Sequence, residues 1–221
     1  MSVRVYLVRH GESVGNATGQ RLYNPDLTAR GWCQSQALAR RLAAAGCDRV
    51  VASPLIRALQ TATCLASLLT VPIHVCNDLA EYNRWDAYQG AGWAELARRF
   101  PTAVLETAMP SAGWRYPGAE GLAAVRTRAG AVAARLAAVP DGARVAVVAH
   151  GNFNAVLLRH WMGAGPGWGI VQDNACVNLV VLDGDRVLLE TVNDTSHLPC
   201  FGMGAQTARR FGRIRHGPRR T

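Results

Sequence analysis

The sequence predicts an α/β fold, a three-layer α/β/α sandwich built on a mostly parallel sheet with an antiparallel edge. Short apolar runs at 3–8, 49–52, 72–75 and 144–149 alternate with amphipathic helical stretches, which is typical of strand-helix-strand units. The apolar runs 177–182 and 186–192 flank the turn D-G-D, which predicts a hairpin at the sheet edge. With 221 residues, of which 49% are apolar and 18% charged, the chain is long enough to bury one core.

The first predicted strand, 3–8, stops abruptly at Arg9-His10-Gly11. In open α/β sheets, ligands bind at the carboxyl ends of the strands. A guanidinium and an imidazole delivered together to that edge indicate an anion site that contains a nucleophile. A surface turn carrying two basic residues is the alternative. The polar segment 12–27 that follows is predicted to be a loop.

The next unit contains two helices and a strand. Thr28 is predicted to cap a helix over 29–45 that Gly46 ends, and a strand is predicted at 49–52. Ser53-Pro54 then predicts a helix start, with Ser as cap and Pro at the first helical position, and a helix that runs to about residue 69. Arg57 falls in or beside its first turn, where a cation opposes the helix dipole unless an anion binds there.

The middle of the chain is predicted to hold a strand at 72–75, a loop carrying Glu81, a short helix at 93–100 and an irregular segment at 101–118. Trp85, Tyr88 and Trp93 either pack under this long excursion or form the wall of a pocket. Trp114 and Tyr116 are expected to anchor the irregular segment. The whole stretch 77–118 is therefore predicted to be an insertion.

The last third repeats the opening arrangement. A helix is predicted over 119–139, followed by a strand at 144–149 that ends in His150-Gly151-Asn152. A helix from about 154 to 162 and a loop at 163–169 come next. Arg9, His10, Arg57, Glu81 and His150 thus all follow predicted strands, so we expect them to meet at one edge of the sheet.

Composition excludes several function classes. All 24 basic residues are Arg, so Schiff-base chemistry and a P-loop lysine are ruled out. Six of these arginines lie in 209–220. The rest of the chain contains 18 arginines and 15 acidic residues, a charge balance that does not indicate nucleic-acid binding. We expect one domain over 1–205 and a basic, solvated tail over 206–221.

The cysteines and the apolar runs indicate neither a metal site nor a membrane protein. The six cysteines contain no C-x-x-C pair and have no His at zinc spacing, which argues against a metal site and a disulfide framework. No apolar run approaches the roughly 20 residues of a membrane span, and the first residues do not have the pattern of a secretory signal. A cytoplasmic location is the expectation.

The motifs of the chain resemble those of the histidine phosphatase superfamily, which includes the cofactor-dependent phosphoglycerate mutases. The resemblance covers about residues 3–198 and is carried by L-V-R-H-G-E-S-x-x-N at 7–16, D-L-T-x-x-G at 26–31, S-P-L-x-R-A-x-Q-T-A at 53–62, Glu81 with Gly90, V-A-H-G-N at 148–152 and N-D-T-x-H-L at 193–198. It implies a phosphoglycerate mutase-like fold and phosphoryl transfer through a phosphohistidine, without a metal or other cofactor.

The resemblance also implies a role for each matching residue. His10 is the nucleophile, a neutral imidazole if its other ring nitrogen donates to a backbone carbonyl. Glu81 is the general acid that protonates the leaving oxygen and later activates water. The residues that the resemblance implies for binding the phosphoryl oxygens and the substrate are Arg9, Arg57, His150, Asn16, Gly151, Thr18 and Gly19.

Three functions remain open at this point. A phosphatase is favoured over a mutase because 82–90 departs from the R-H-Y-G-x-L-x-G pattern that mutases carry after the acid, and their Lys-rich and Arg-pair segments are absent. The third alternative, an inactive phosphate-binding or interaction module, is disfavoured by the presence of both histidines, both arginines and the acid. The expected partners are a phosphorylated small molecule and, as site ligands, phosphate or vanadate. The oligomeric state, including a homodimer, is open.

Overall fold

The computed structural model describes residues 2–82, 88–109, 114–116, 120–165, 167 and 169–198, with the side chains of 88–90 and 114–116 left aside. The strands are β1 Val3–Arg9, β2 Arg49–Ala52, β3 Ile73–Val75, β4 Tyr88–Gly90, β5 Ala103–Leu105, β6 Trp114–Tyr116, β7 Arg144–Ala149, β8 Val177–Asp183 and β9 Arg186–Asp194. The helices are α1 Val14–Thr18, α2 Ala29–Ala44, α3 Ile56–Leu69, α4 Trp93–Arg99, α5 Leu122–Ala137 and α6 Gly151–Trp161, with a 3₁₀ turn at Asn77–Leu79.

The main sheet has seven strands in the order β5-β3-β2-β7-β1-β8-β9. The pairs from β5 to β1 are parallel, whereas β8 pairs antiparallel with β1, and β9 with β8. Strands β4 and β6 form a separate two-stranded sheet. The predicted mostly parallel sheet with an antiparallel edge is confirmed.

Helices cover both faces of this sheet, because the central strands are apolar on both sides. Tyr6 and Val8 of β1 pack in one core with α2, α3 and α4, through residues such as Leu38 and Leu59. Val5 and Leu7 face the other core. That core contains the inner faces of α5 and α6, including Val125, Val132, Phe153 and Leu157. None of the helices in the described part of the chain is long and apolar enough to cross a membrane.

Two predicted helix starts are wrong. Helix α3 begins at Ile56 rather than at Ser53-Pro54, and the Ile56 amide is capped from a distance by Asn24 Oδ1 at 2.8 Å. Helix α6 begins at Gly151 rather than at about 154, with His150 at its N-cap position. In each case a contact from elsewhere in the chain decides where the helix begins.

Two segments predicted to be irregular contain regular structure. Within 12–27 lies the short helix α1, capped by Ser13 in a capping box with Asn16. Within 101–118, residues Ala103–Leu105 form β5, which extends the main sheet next to β3. The helix predicted at 93–100 is confirmed as α4. The predicted tail, 206–221, lies outside the described residues.

Candidate active site

The pairing register of the central strands brings the chemically active residues together. Strands β1 and β7 are parallel neighbours with Arg9 opposite Ala149, so His10 and His150 leave the sheet side by side. Their ring centroids are 5.1 Å apart. Strand β2 pairs with β7 on the other side, with Ala52 opposite Val148, and so places Ser53 at the same edge.

The contacts of His10 define its tautomer. Its Nδ1 lies 2.7 Å from the carbonyl oxygen of Gly11, which only accepts, so Nδ1 carries the proton. On the other side of the ring, Arg57 Nε donates to Nε2 at 3.1 Å. Burial and the nearby Arg57 and Arg9 charges hold the pKa of His10 well below its usual value. His10 is therefore neutral at pH 7, with its lone pair on Nε2.

The two arginines approach the imidazoles from different elements. Arg9, the last residue of β1, donates through Nη1 to Gln172 O at 2.6 Å. A Cβ at Gly151 would lie 3.4 Å from Arg9 Nε, so the guanidinium lies directly against the start of α6. Arg57, in the first turn of α3, also donates to Tyr23 O at 3.2 Å. Both arginines are only 8% exposed, which concentrates their charge on the site.

His150 is assigned the same tautomer as His10, with Ser53 as the hydrogen-bond partner of its Nε2. Its Nε2 lies 2.7 Å from Ser53 Oγ, and that oxygen already accepts from the Leu55 amide at 3.3 Å. We assign the Ser53 hydroxyl as the donor to Nε2, so that Nδ1 keeps the ring proton. Burial and the surrounding Arg57, His10 and Arg9 lower the pKa of His150 as well. Its Nδ1 is buried and has no hydrogen-bond partner among the described residues, which leaves it as a donor for an anion.

Glu81 reaches the same place from the turn after β3. Its Oε1 accepts from the amides of Phe153 at 2.9 Å and Tyr82 at 2.8 Å. Its Oε2 accepts from the backbone and side-chain amides of Asn152, both at 3.4 Å. The carboxylate therefore caps the N-terminus of α6, within three residues of His150.

Other motif residues hold the His10 turn against α2 and α3. A Cβ at Gly31 would lie 2.0 Å from Glu12 O, so only glycine permits this close approach. The amides of Gly11 and Glu12 donate to Thr61 Oγ1 at 3.0 Å and Gln34 Oε1 at 2.8 Å. Gly31 and Thr61 belong to quoted motifs, but sequence reasoning gave them no role.

A buried amide network, which sequence reasoning missed, supports the site from behind. Asn174 Nδ2 donates to His10 O at 3.2 Å and to Asn16 Oδ1 at 3.0 Å. Ala175, whose φ is +56°, also donates its amide to His10 O at 3.1 Å. Asn16 Oδ1 accepts from Ser13 too, so this oxygen is already hydrogen-bonded within the network. The segment 172–175 contains no recognisable motif that would have revealed this role.

The remaining predicted binding residues are less closely tied to this cluster. Thr18 and Gly19 lie at the exposed end of α1, and Thr18 Oγ1 donates to Val14 O at 2.9 Å within its own helix. Gly19 serves as the left-handed cap of that helix, with φ +71°. Of the aromatic residues predicted to pack or to form a pocket wall, Trp85 and the side chain of Tyr88 lie outside the described residues, as do the side chains of Trp114 and Tyr116, which were predicted to anchor the irregular segment. Trp93 packs at the edge of the core formed with α2 and α3.

Among the described residues, no group of three or more His, Cys, Asp and Glu side chains is arranged to hold a metal ion. The positive groups of the site are thus arginines, imidazole donors and helix amides. This set matches the charge and the geometry of a tetrahedral oxyanion.

The chain is similar to known proteins over most of its length. A family model of the histidine phosphatase superfamily (branch 1) matches residues 5–195. A bifunctional protein of Mycobacterium tuberculosis is 35% identical over 203 residues, which cover 88% of this chain and 55% of the relative. A metal-independent phosphoserine phosphatase of Arabidopsis thaliana is 32% identical over 206 residues, 90% of this chain and 84% of the relative.

A solved structure is similar as well. The mycobacterial glucosyl-3-phosphoglycerate phosphatase in complex with VO₃ has a TM-score of 0.64 and 25% identity, covering 87% of this chain and 99% of its own. The chain belongs to the histidine phosphatase superfamily, and its fold is that of the phosphoglycerate mutase-like phosphatases. It spans about half the length of the mycobacterial relatives that it matches.

Proposed function

We propose that this chain is a phosphoric monoester hydrolase that works through a phosphohistidine on His10 and requires no metal. The observation that carries the proposal is the neutral His10 ring, whose lone pair on Nε2 lies beside the Arg57 guanidinium. Phosphoryl transfer needs in-line positioning and stabilisation of charge on the equatorial oxygens. Two arginines and the Nδ1 proton of His150 meet the second requirement.

In the first half-reaction, Nε2 of His10 attacks phosphorus and the P–O bond to the leaving group breaks. Glu81, in its protonated form, gives its proton to the departing oxygen, so that an alcohol leaves and a carboxylate remains. In the second half-reaction, Glu81 takes a proton from water as the water oxygen attacks phosphorus. The P–N bond then breaks, and inorganic phosphate leaves with His10 restored.

The substrate class is a phosphorylated small molecule, and O-phosphoserine is the first candidate because the plant relative is a phosphoserine phosphatase. Phosphate and vanadate are proposed as site ligands, since the similar solved structure is a complex with VO₃. A cytoplasmic location and a single domain over 1–205 complete the proposal. The side chains that distinguish substrates are expected in the insertion at 77–118 and in the loop at 163–175.

The test is hydrolysis of p-nitrophenyl phosphate by the wild type and by His10→Ala, with EDTA present. Loss of the nucleophile is expected to lower kcat/KM by at least about 10³-fold. His197→Ala is the control, because it removes another half-buried imidazole, and it is expected to stay within about threefold of the wild type. Equal rates for the wild type and His10→Ala would rule out the proposed enzyme.

A further inference from the structure

Arg128 on α5 contacts the turn that carries Glu81, although it belongs to none of the motifs of the family. Its Nη1 donates to two backbone carbonyls of that turn, Asp78 O at 2.6 Å and Ala80 O at 2.8 Å. Ala80 immediately precedes Glu81 in the chain. One guanidinium nitrogen thus fixes the backbone on the amino-terminal side of the proposed general acid.

The same guanidinium also contacts the other side of Glu81. Its central carbon lies 4.9 Å from the centroid of the Phe153 ring, in cation–π geometry. The Phe153 amide donates to Glu81 Oε1 at 2.9 Å. Arg128 therefore contacts both the residue that precedes the acid and the residue whose amide holds its carboxylate.

Arg128 is itself held in one orientation by Glu120. Nε and Nη2 donate to the two carboxylate oxygens of Glu120 at 2.8 and 2.7 Å, a bidentate pair. The side chains are 18% and 8% exposed, so solvent does little to weaken the pair. This geometry needs the planar fork of an arginine, because a lysine has a single nitrogen and cannot bond two carbonyls and both carboxylate oxygens.

We propose that Arg128, oriented by Glu120, is a positioning residue that holds the Glu81 carboxyl at the leaving-group oxygen. The inference rests on the proposed function of Glu81 as general acid. It predicts a specific defect when Arg128 is changed: proton delivery to the leaving group suffers, whereas attack by His10 on phosphorus does not. Substrates differ in their need for that proton, so the defect is measurable.

The test compares kcat/KM for two substrates. The p-nitrophenolate of p-nitrophenyl phosphate departs without a proton, whereas the serine alkoxide of O-phosphoserine must be protonated as it departs. kcat/KM reports the half-reaction in which the leaving group departs and excludes the later hydrolysis of the phosphohistidine. For Arg128→Met we expect a loss of roughly 30-fold or more with the alkyl ester and at most about threefold with the aryl ester, since general acids contribute about 10²–10⁴-fold.

Three further variants sharpen the result. Glu81→Gln is expected to show the same substrate selectivity, and adding Arg128→Met to it is expected to change little, because the residue acts through Glu81. Arg128→Met with Glu120→Gln removes the buried unpaired charge in case the single variant folds poorly. Arg135→Met is the matched control, because Arg135 lies on the same helix and pairs with the Asp78 side chain at 3.2 Å without contacting the carbonyls next to Glu81.

The outcomes separate the two proposals. A similar loss with both esters in Arg128→Met, or the same selectivity in Arg135→Met, would overturn the positioning role while leaving His10-dependent hydrolysis intact. A Glu81→Gln variant without selectivity would also overturn it. Absence of His10-dependent hydrolysis in the wild type with either ester would remove the proposed function and the positioning role together.

Discussion

Two histidine–arginine clusters in this molecule are built from similar residues and differ in the groups that the arginine contacts. Arg57 Nε donates to His10 Nε2 at 3.1 Å, and Arg41 Nη1 donates to His197 Nδ1 at 2.9 Å. In the second cluster, Arg41 also forms an ion pair with Asp194, the last residue of β9. The Asp194 carboxylate neutralises the Arg41 charge there, and the ion pair connects the end of β9 to α2.

The first cluster is more buried and directs its charges at imidazoles. His10 is 3% exposed and His150 is fully buried, and the charges of Arg9 and Arg57 lower the pKa of both rings. In the second cluster, burial and Arg41 lower the pKa of His197 to about 4, although Asp194 acts in the opposite direction. Arg41 thus bridges an imidazole and a carboxylate, whereas Arg57 bridges the His10 imidazole and the Tyr23 carbonyl.

The largest expected difference between the clusters is their response to an anion. Vanadate at about 100 times its Kd stabilises a protein by about 2.7 kcal/mol, and loss of one buried guanidinium contact costs roughly 2–5 kcal/mol of binding. Arg57→Met is therefore expected to lose nearly all of the vanadate-induced rise in Tm, measured by thermal unfolding with and without the ligand. Arg41→Met is expected to keep that rise, even if its own Tm is lower. An equal loss in both variants would mean that the clusters do not differ as described.

A smaller effect is expected from Ser53, which holds His150 in one tautomer. Ser53→Ala removes the hydroxyl that donates to Nε2, so Nδ1 carries the proton only part of the time and kcat/KM for p-nitrophenyl phosphate should fall about tenfold, or ~1.4 kcal/mol. The ¹⁵N shifts of the His150 ring should report mixed tautomers in the variant. Thr63→Ala removes an α3 hydroxyl that donates to Leu59 O at 2.9 Å and serves as the control. Unchanged ring shifts in Ser53→Ala would contradict the assigned tautomer.

The smallest effect concerns stability at the second cluster. Hydrogen bonding to Arg41 holds the pKa of Asp194 below its usual value, so Asp194 stabilises the fold above the unfolded pKa of about 3.9, and that contribution is lost as the pH falls further. Asp194→Asn is expected to lower the free energy of unfolding by about 0.5–1 kcal/mol at pH 7, since the pair is partly exposed. Urea unfolding should show the full difference at pH 7 and a progressively smaller one as the pH falls below about 3.9 towards the lowered folded pKa, with hydrolysis unaffected. A difference that does not shrink below about pH 3.9 would mean that Asp194 acts by something other than its charge.

The sequence predicted the strands of the central sheet well because their signals are local. The runs 49–52 and 144–149 match β2 and β7 at both ends, since apolar stretches buried on both faces are bounded by charged and polar residues. The residues that follow these strands come together for the reason that was anticipated, the shared carboxyl edge. The second helix was also predicted correctly, from its cap Thr28.

What the sequence did not predict depends on contacts between distant segments. Strand β5 has three residues, and only its pairing with β3 makes it a strand. The predicted start of α6 at about 154 missed the first turn of that helix, which begins at Gly151, where Glu81 from another segment caps it. Ser53 has the residue type of a helix cap, yet its hydroxyl bonds to His150. Arg128 and Asn174 lie in stretches that contain no recognisable motif.

The most direct test of the account is to identify the atom that carries the phosphoryl group during turnover. The wild type would be mixed with ³²P-labelled O-phosphoserine, quenched in alkali to preserve phosphohistidine, and analysed by peptide mapping and ³¹P NMR. The neutral tautomer of His10, with its proton on Nδ1, predicts a label on Nε2 of His10 that is absent from His10→Ala. A label on Nδ1, a label on another residue, or steady turnover with no labelled enzyme would contradict the account.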